Sequence, residues 1–339
     1  LKRSSKRRFG LMRKRPPGRR PETLVAQGTG APMGRRRMGR SVDGILVLDK
    51  PQGMSSSDAV QKAKRLFNAR KVGHTGALDP LATGVLPLCF GEATKFSQYL
   101  LSSDKKYWAR IKLGVATDSG DADGKIVDTR PVSDVDADRI EESLRFFRGE
   151  IDQVPSMFSA IKHKGQPLYK LARQGIEIER EARRVKIFSN ELVAFHEDQL
   201  ELEIHCSKGT YIRTIAEELG QILGCGAHVV ALRRRSAGPY AESDLVTFET
   251  LEAALQEGSL DRFLLPIASA VSQWPEVRLN DDTAYYVCRG QAVIVPHAPS
   301  SGWVRLCQEL ETGGDTRFLG VGEILDDGRV APRRLIVAN

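Results

Sequence analysis

The chain has 339 residues, of which 41% are hydrophobic, with a net charge of +8 and five cysteines; that is enough for a catalytic unit and a smaller module. Apolar runs fall well short of the roughly 18 residues a membrane-spanning helix needs, and the N-terminus lacks the apolar segment of a secretory signal. Cys89, Cys206, Cys225, Cys288 and Cys307 are scattered with no C-x-x-C pair, which excludes a disulfide framework or zinc cluster and suits a reducing cytoplasm.

The charge is uneven. Residues 1–40 hold fourteen Lys/Arg and one acid, Glu22, so they carry +13 and leave the rest of the chain at −5. Nucleic-acid binding by the folded part must therefore rest on local patches. This tail is too polar and too rich in Gly, Pro and Arg to pack, so residues 1–43 are expected to be disordered. They are either an RNA-binding arm or an extension without function.

Order is expected from Gly44. G-I-L-V-L-D-K (44–50) reads as a strand, and Ser55–Ser57 cap a helix carrying Val60, Ala63 and Phe67. G-H-T-G-A-L-D-P-L-A-T-G-V-L-P-L (73–88) follows, ending in a buried strand. Residues 93–101 read as helix, 107–113 as strand, and Ile140, Leu144 and Phe147 as helix after an Asp-rich start. Residues 155–184 form a long basic insertion of the kind that is usually functional. Leu200, Leu202, Ile204 and Cys206 alternate as a strand. Residues 211–223 are helix ended by Gly224, and 227–232 are strand. Past about 265 come short β-type runs (V-R-L, Y-Y-V-C-R-G-Q-A-V, W-V-R-L-C, R-F-L-G-V-G-E-I) with frequent turns, as in a small β-barrel placed at 275–339.

Three features invite chemistry. Asp79 precedes Pro80, so it is either the N-cap of a helix or a reactive carboxylate. Gly76 and Gly84 beside it allow tight turns or close approach of a ligand. D-S-G-D-A-D-G (118–124) fails as a calcium loop, because with Gly124 at the sixth position the first is Ser119 and the twelfth Arg130, and it reads as a polar hairpin turn. Arg213 opens a helix, where the dipole disfavours it, so it is either an ordinary surface arginine or the holder of a carboxylate or phosphate partner.

G-I-L-V-L-D-K-P-Q-G-M-S-S, K-V-G-H-T-G-A-L-D-P-L-A-T-G-V-L-P-L, K-K-Y-W-A-R, V-P-S-M-F-S-A-I-K and C-S-K-G-T-Y-I-R-T-I-A-E-E-L-G occur in this order. Together they resemble the TruB family, the bacterial tRNA pseudouridine-55 synthases, from about residue 44 to the C-terminus. The resemblance implies an α/β (α+β) pseudouridine-synthase fold: a mixed, mainly antiparallel central sheet flanked by helices over 44–270, and a C-terminal PUA-like barrel that meets the acceptor side of tRNA. It implies a monomeric isomerase without cofactor, metal, membrane or obligatory protein partner. By the same resemblance Asp79 is the catalytic aspartate, Tyr107 the aromatic that stacks on the target base, and Arg213 the partner of the aspartate. Lys50 lies near the active site, Leu232 packs on the uracil, and His74 enters the T-loop; these three, with Tyr211 at the start of the helix that carries Arg213, are the expected substrate-binding residues. Insertion 155–184 clamps the RNA.

These residues suit the chemistry. A base in a folded loop must be everted before its glycosidic bond is cut, and a tyrosine face returns roughly 1–3 kcal/mol of lost stacking. A carboxylate stabilises the cation-like sugar, or attacks it. An apolar pocket would neutralise Asp79, so Arg213 is expected to keep it ionised. A covalent sugar adduct, attack at C6 and a glycal route remain open, as does whether Tyr107 or Asp79 takes the C5 proton. RNA-contacting patches are expected at Lys62, Lys64 and Arg65; Arg70 and Lys71; Lys162, Lys164, Lys170 and Arg173; and Arg233–Arg235. A non-catalytic tRNA-binding module and a uridine glycosidase are the competing readings.

Overall fold

The computed structural model describes residues 39–310 and 314–336. The basic stretch before residue 39 lies outside the described residues. The packed chain begins slightly earlier than its composition suggests. Arg40 donates to Asp261 at 2.6 Å and, through Nε, to the Phe67 carbonyl at 2.8 Å, which ties residues 39–43 to the fold.

A nine-stranded sheet forms the centre. Its main path runs Gly44–Lys50, Thr83–Phe90, Ala227–Ala237, Lys105–Leu113, Gln199–Cys206, Arg183–His196 and Gly149–Gln153. All neighbours pair antiparallel except Thr83–Phe90 with Ala227–Ala237, which run parallel through Arg233–Thr83 and Arg234–Gly84. The parallel seam needs Gly84. A Cβ there would lie 2.3 Å from the Arg234 carbonyl oxygen, and its φ is +95°, where L side chains are strained.

Alternation sorts the two faces. Leu46, Leu48, Leu86, Leu88, Ala109, Ile111, Leu200, Leu202 and Ile204 face one core with Ile215 and Leu219 of helix Ile212–Leu223. Ile45, Val47, Val85 and Cys89 face a second, with Phe96, Leu100 and Val271. Helix Ser56–Leu66 is capped as its sequence suggests: the Asp58 amide donates to Ser55 Oγ at 3.1 Å, and Ala59, Val60 and Ala63 are buried. Residues 93–101 divide into a 3₁₀ turn ending at Lys95 and helix Ser97–Leu101.

The C-terminal part builds a four-stranded sheet, Glu276–Leu279, Gly302–Glu309, Thr316–Ile324 and Val330–Leu335, over its own cluster around Val277, Val287, Val304 and Leu306. One reading is corrected here: Tyr285, Tyr286, Val287 and Cys288 lie in helix Asp281–Cys288, not a strand. Asn280 accepts from the Thr283 amide at 2.9 Å, and Asp281 and Asp282 sit in the first turn, where cap and dipole outweigh the aromatic preference for strands.

Candidate active site

Asp79 caps no helix. Residues 75–82 turn between strands Val72–His74 and Thr83–Phe90, and the only turn of backbone Asp79 closes is the Ala82 amide donating to its carbonyl at 3.1 Å. The first motif builds the support for this turn. Ser56 Oγ accepts from the Leu78 amide at 2.7 Å and donates to the Leu78 carbonyl at 3.0 Å. The Gly53 amide donates to the Pro80 carbonyl at 2.8 Å. Lys50 is wholly buried, and its ammonium donates to the carbonyls of Met54 at 2.6 Å, Pro51 at 2.9 Å and Pro80 at 3.4 Å. Burial pulls Lys50 down to about 8, against the upward pull of Asp79. Lys50 therefore holds the loop below Asp79 through peptide oxygens.

With its backbone fixed, Asp79 presents Oδ2 to Arg213 Nε at 3.0 Å. The two side chains differ in access: that of Arg213 is 5% exposed and that of Asp79 41%. The guanidinium is thus a buried fixture, and the carboxylate is its solvent-facing edge. Arg213 meets Asp121 at 3.3 Å and donates to the carbonyls of Ser119 and Phe158, each at 2.8 Å. Two carboxylates explain how an arginine is tolerated in the first turn of helix Ile212–Leu223.

Asp121 belongs to the D-S-G-D-A-D-G run. That run is a hairpin turn between Val115–Thr117 and Ile126–Thr129, as read, but Ser119 and Asp121 are buried in it and form the wall behind Arg213. Sequence reasoning missed this role. The available signal was the need of Arg213 for partners, and no residue spacing pointed from one segment to the other.

Although 41% of the Asp79 side chain is exposed, the protein packed around its carboxyl desolvates it and pushes it above the ordinary carboxylate range. Arg213 and Lys50 draw it down, and Asp121 adds to the rise. The expected holding effect of Arg213 is present, and desolvation exceeds it.

Tyr107 is half-buried on strand Lys105–Leu113, facing Arg234 across the antiparallel pair. Burial pushes its phenol up, and the Arg234 charge draws it down. Leu232, two residues before Arg234, is buried opposite Ala109. His74 ends strand Val72–His74. Its Nδ1 accepts from the Gly76 amide at 3.3 Å, which leaves the proton of the neutral ring on Nε2. Burial and Arg234 both hold its pKa low. Tyr211 stands at the helix entrance, where Gln153 clamps it: the Tyr211 amide donates to Oε1 at 2.9 Å, and the Tyr211 carbonyl accepts from Nε2 at 3.1 Å. Burial pushes its phenol up as well, with Asp79 among its charged neighbours. Asp79 and Arg213 are thus in direct contact, Lys50, Tyr107 and Tyr211 lie within reach of the Asp79 charge, and His74 is linked through Arg234.

Of the basic patches, the Arg233–Arg235 group is corrected. Arg234 is buried; Arg233 pairs with Asp49 at 3.1 Å and with Glu242; Arg235 pairs with Glu203 at 2.6 Å. Acids brought alongside by the fold, on strands one removed and in the turn at Glu242–Asp244, pair with Arg233 and Arg235, a placement the sequence does not show. Lys62 likewise pairs with Glu252 at 2.9 Å. In the insertion, which holds a small hairpin at Lys162–His163 and Gln166–Pro167 and helix Leu168–Ala172, the side chains of Lys162, Lys164, Lys170 and Arg173 are exposed.

Three family models match: the N-terminal domain of TruB family pseudouridylate synthases over residues 64–212, a C-terminal domain of tRNA pseudouridylate synthase B over 213–272, and the C-terminal domain of pseudouridine synthase II TruB over 275–336. The tRNA pseudouridine synthase B of Tolumonas auensis is 55% identical over 311 residues, covering 89% of this chain and 94% of its own. That of Pseudomonas aeruginosa is 55% identical over 304 residues, covering 89% and 98%. Among solved structures, a Cbf5-Nop10-Gar1 complex matches with TM-score 0.65 at 26% identity, covering 87% of this chain and 84% of that one. An H/ACA RNP bound to a substrate RNA matches with TM-score 0.66 at 24% identity, covering 87% and 85%, and bears on the fold alone.

Proposed function

Because the chain belongs to the TruB family of pseudouridylate synthases, we propose that it converts uridine 55 in the T-loop of tRNA to pseudouridine. The single observation that carries this reading is the pairing of a solvent-facing Asp79 carboxylate with a buried Arg213 guanidinium at 3.0 Å. That arrangement suits a carboxylate that must stay aimed while a ligand arrives.

The uridine is everted from its loop, and His74 enters the space it leaves. Tyr107 stacks on the uracil, and Leu232 packs against it. Asp79 acts at the sugar as the bond from C1′ to N1 breaks, either as nucleophile or as stabiliser of positive charge. The uracil turns and rejoins C1′ through C5. C5 loses a proton and N1 gains one, so no atom is gained or lost. Arg213 and Lys50 keep Asp79 and its loop in place; Tyr211 lines the entrance.

The insertion at 155–184 closes on the RNA. It is connected to this chemistry through the Phe158 carbonyl, which accepts from Arg213 at 2.8 Å. Residues 275–339 act as a PUA-like module on the acceptor side of the tRNA. The enzyme works as a monomer in the cytoplasm with no cofactor.

The test is incubation with an unmodified tRNA transcript carrying tritium at uridine C5. Release of tritium to water from position 55 is the expected result. Retained label with tight binding would leave a binding module, and free uracil would make the protein a glycosidase.

A further inference from the structure

Arg234 is the largest fully buried side chain among the described residues, at 1% exposure. Among those residues no carboxylate pairs with it. Two of its bonds go to peptide oxygens: Nε donates to Val85 at 2.7 Å and Nη2 to Gly76 at 3.1 Å; it also hydrogen-bonds the Tyr107 side chain. Burying a guanidinium without a counter-charge is unfavourable, and for simply filling this seam an apolar side chain would serve better. What Arg234 touches gives the reason for a guanidinium. Gly76 lies in the turn between His74 and Asp79; Val85 is the third residue of the strand Thr83–Phe90 that follows. Arg234 also stands directly opposite Tyr107 in the antiparallel register, so the two side chains share a face. The turn comes close as well as accepting a bond: a Cβ on Gly76 would lie 3.7 Å from Arg234 Nη1. The charge of Arg234 acts on Tyr107, His74 and Lys50 alike, whereas Arg213 serves Asp79.

We infer that Arg234 is a positioning residue for the reaction: it ties the turn carrying His74 and Asp79 to the Tyr107 side chain, so that the element entering the RNA loop and the ring receiving the everted base keep one spacing. This rests on the function proposed above. A planar fork with a fixed geometry can hold two segments at once, and a lysine ammonium does so less precisely.

The experiment compares wild type, R234Q, R234K, Y107F and the R234Q/Y107F double variant in single-turnover tritium release, with tRNA Kd and Tm measured for each. R234Q is expected to slow the single-turnover step by about 30-fold or more while Kd stays within about threefold, and R234K to recover part of the loss. In the Y107F background R234Q should lower the rate by no more than about threefold, because the contact it supports is already gone. If R234Q does not fold, R234K carries the same cycle. If Y107F falls below detection, the ¹⁹F resonance of 3-fluorotyrosine placed at 107 reads the ring directly: one line in wild type, and a shifted or split line in the Arg234 variant. Independent, multiplying losses in the double variant, an unchanged resonance, or R234Q at the wild-type rate would each overturn the inference. Wild type that releases no tritium would instead overturn the proposed function, and the inference with it.

Discussion

Arg213 stands 3.0 Å from Asp79 and 3.3 Å from Asp121, so one buried guanidinium serves two carboxylates from distant segments. Only Asp79 is substantially open to solvent; Asp121 is 7% exposed. The outer carboxylate can meet a substrate, and the inner one keeps Arg213 paired throughout.

Asp121→Asn keeps the shape of the inner partner and removes its charge. Charge-assisted hydrogen bonds contribute about 1.5–3 kcal/mol, so single-turnover conversion should slow by about 10–100-fold with tRNA Kd little changed. A quench-flow rate and a filter-binding curve decide this; equal losses in rate and binding would point to a general loss of folding instead.

Glu217 lies one helical turn past Arg213, and burial pushes its carboxyl up to about 7, against the downward pull of Arg213. Its folded value exceeds the ordinary 4.5, so its contribution to stability is full below that value and is lost as pH rises through about 7. The Tm of wild type relative to Glu217→Gln should therefore decline between pH 4.5 and about 8. A difference that stays flat or rises with pH would contradict the burial of this carboxyl.

Gly84→Ala introduces a Cβ 2.3 Å from the Arg234 carbonyl oxygen at a φ of +95°. Strain and overpacking together should destabilise the fold by about 3 kcal/mol or more. Urea denaturation measures it, and a loss below about 1 kcal/mol would mean the two strands separate easily there.

Salt dependence separates the basic clusters. Replacing Lys162, Lys164 or Arg173 by alanine should weaken tRNA binding and reduce the slope of log K against log salt by about 1 for each lost phosphate contact. Arg235→Ala, whose guanidinium is already paired with Glu203 at 2.6 Å, should leave the slope unchanged. The reverse pattern would return RNA contact to the sheet.

Much of this was legible in the sequence because local rules governed it. Ser55 and the apolar spacing after it fix helix Ser56–Leu66, and alternation from Leu200 to Cys206 fixes a strand and its buried face. An arginine at a helix entrance needs a partner, so a carboxylate or phosphate for Arg213 was readable; that the partner is Asp79 was implied only by the resemblance to the TruB family. What escaped depends on tertiary pairing. Asp121 reaches Arg213 only because the hairpin folds over the helix. Arg233 and Arg235 looked like an RNA patch until the folded sheet brought Asp49, Glu242 and Glu203 beside them. Helix Asp281–Cys288 carries β-favouring residues, and its cap and two acids decided against a strand.

The most direct measurement is single-turnover conversion of tRNA by Asp79→Asn beside its tRNA Kd. The amide keeps the shape and removes the charge that faces Arg213, so conversion should vanish while Kd stays within about tenfold of wild type. Conversion at a wild-type rate would contradict the account at its root.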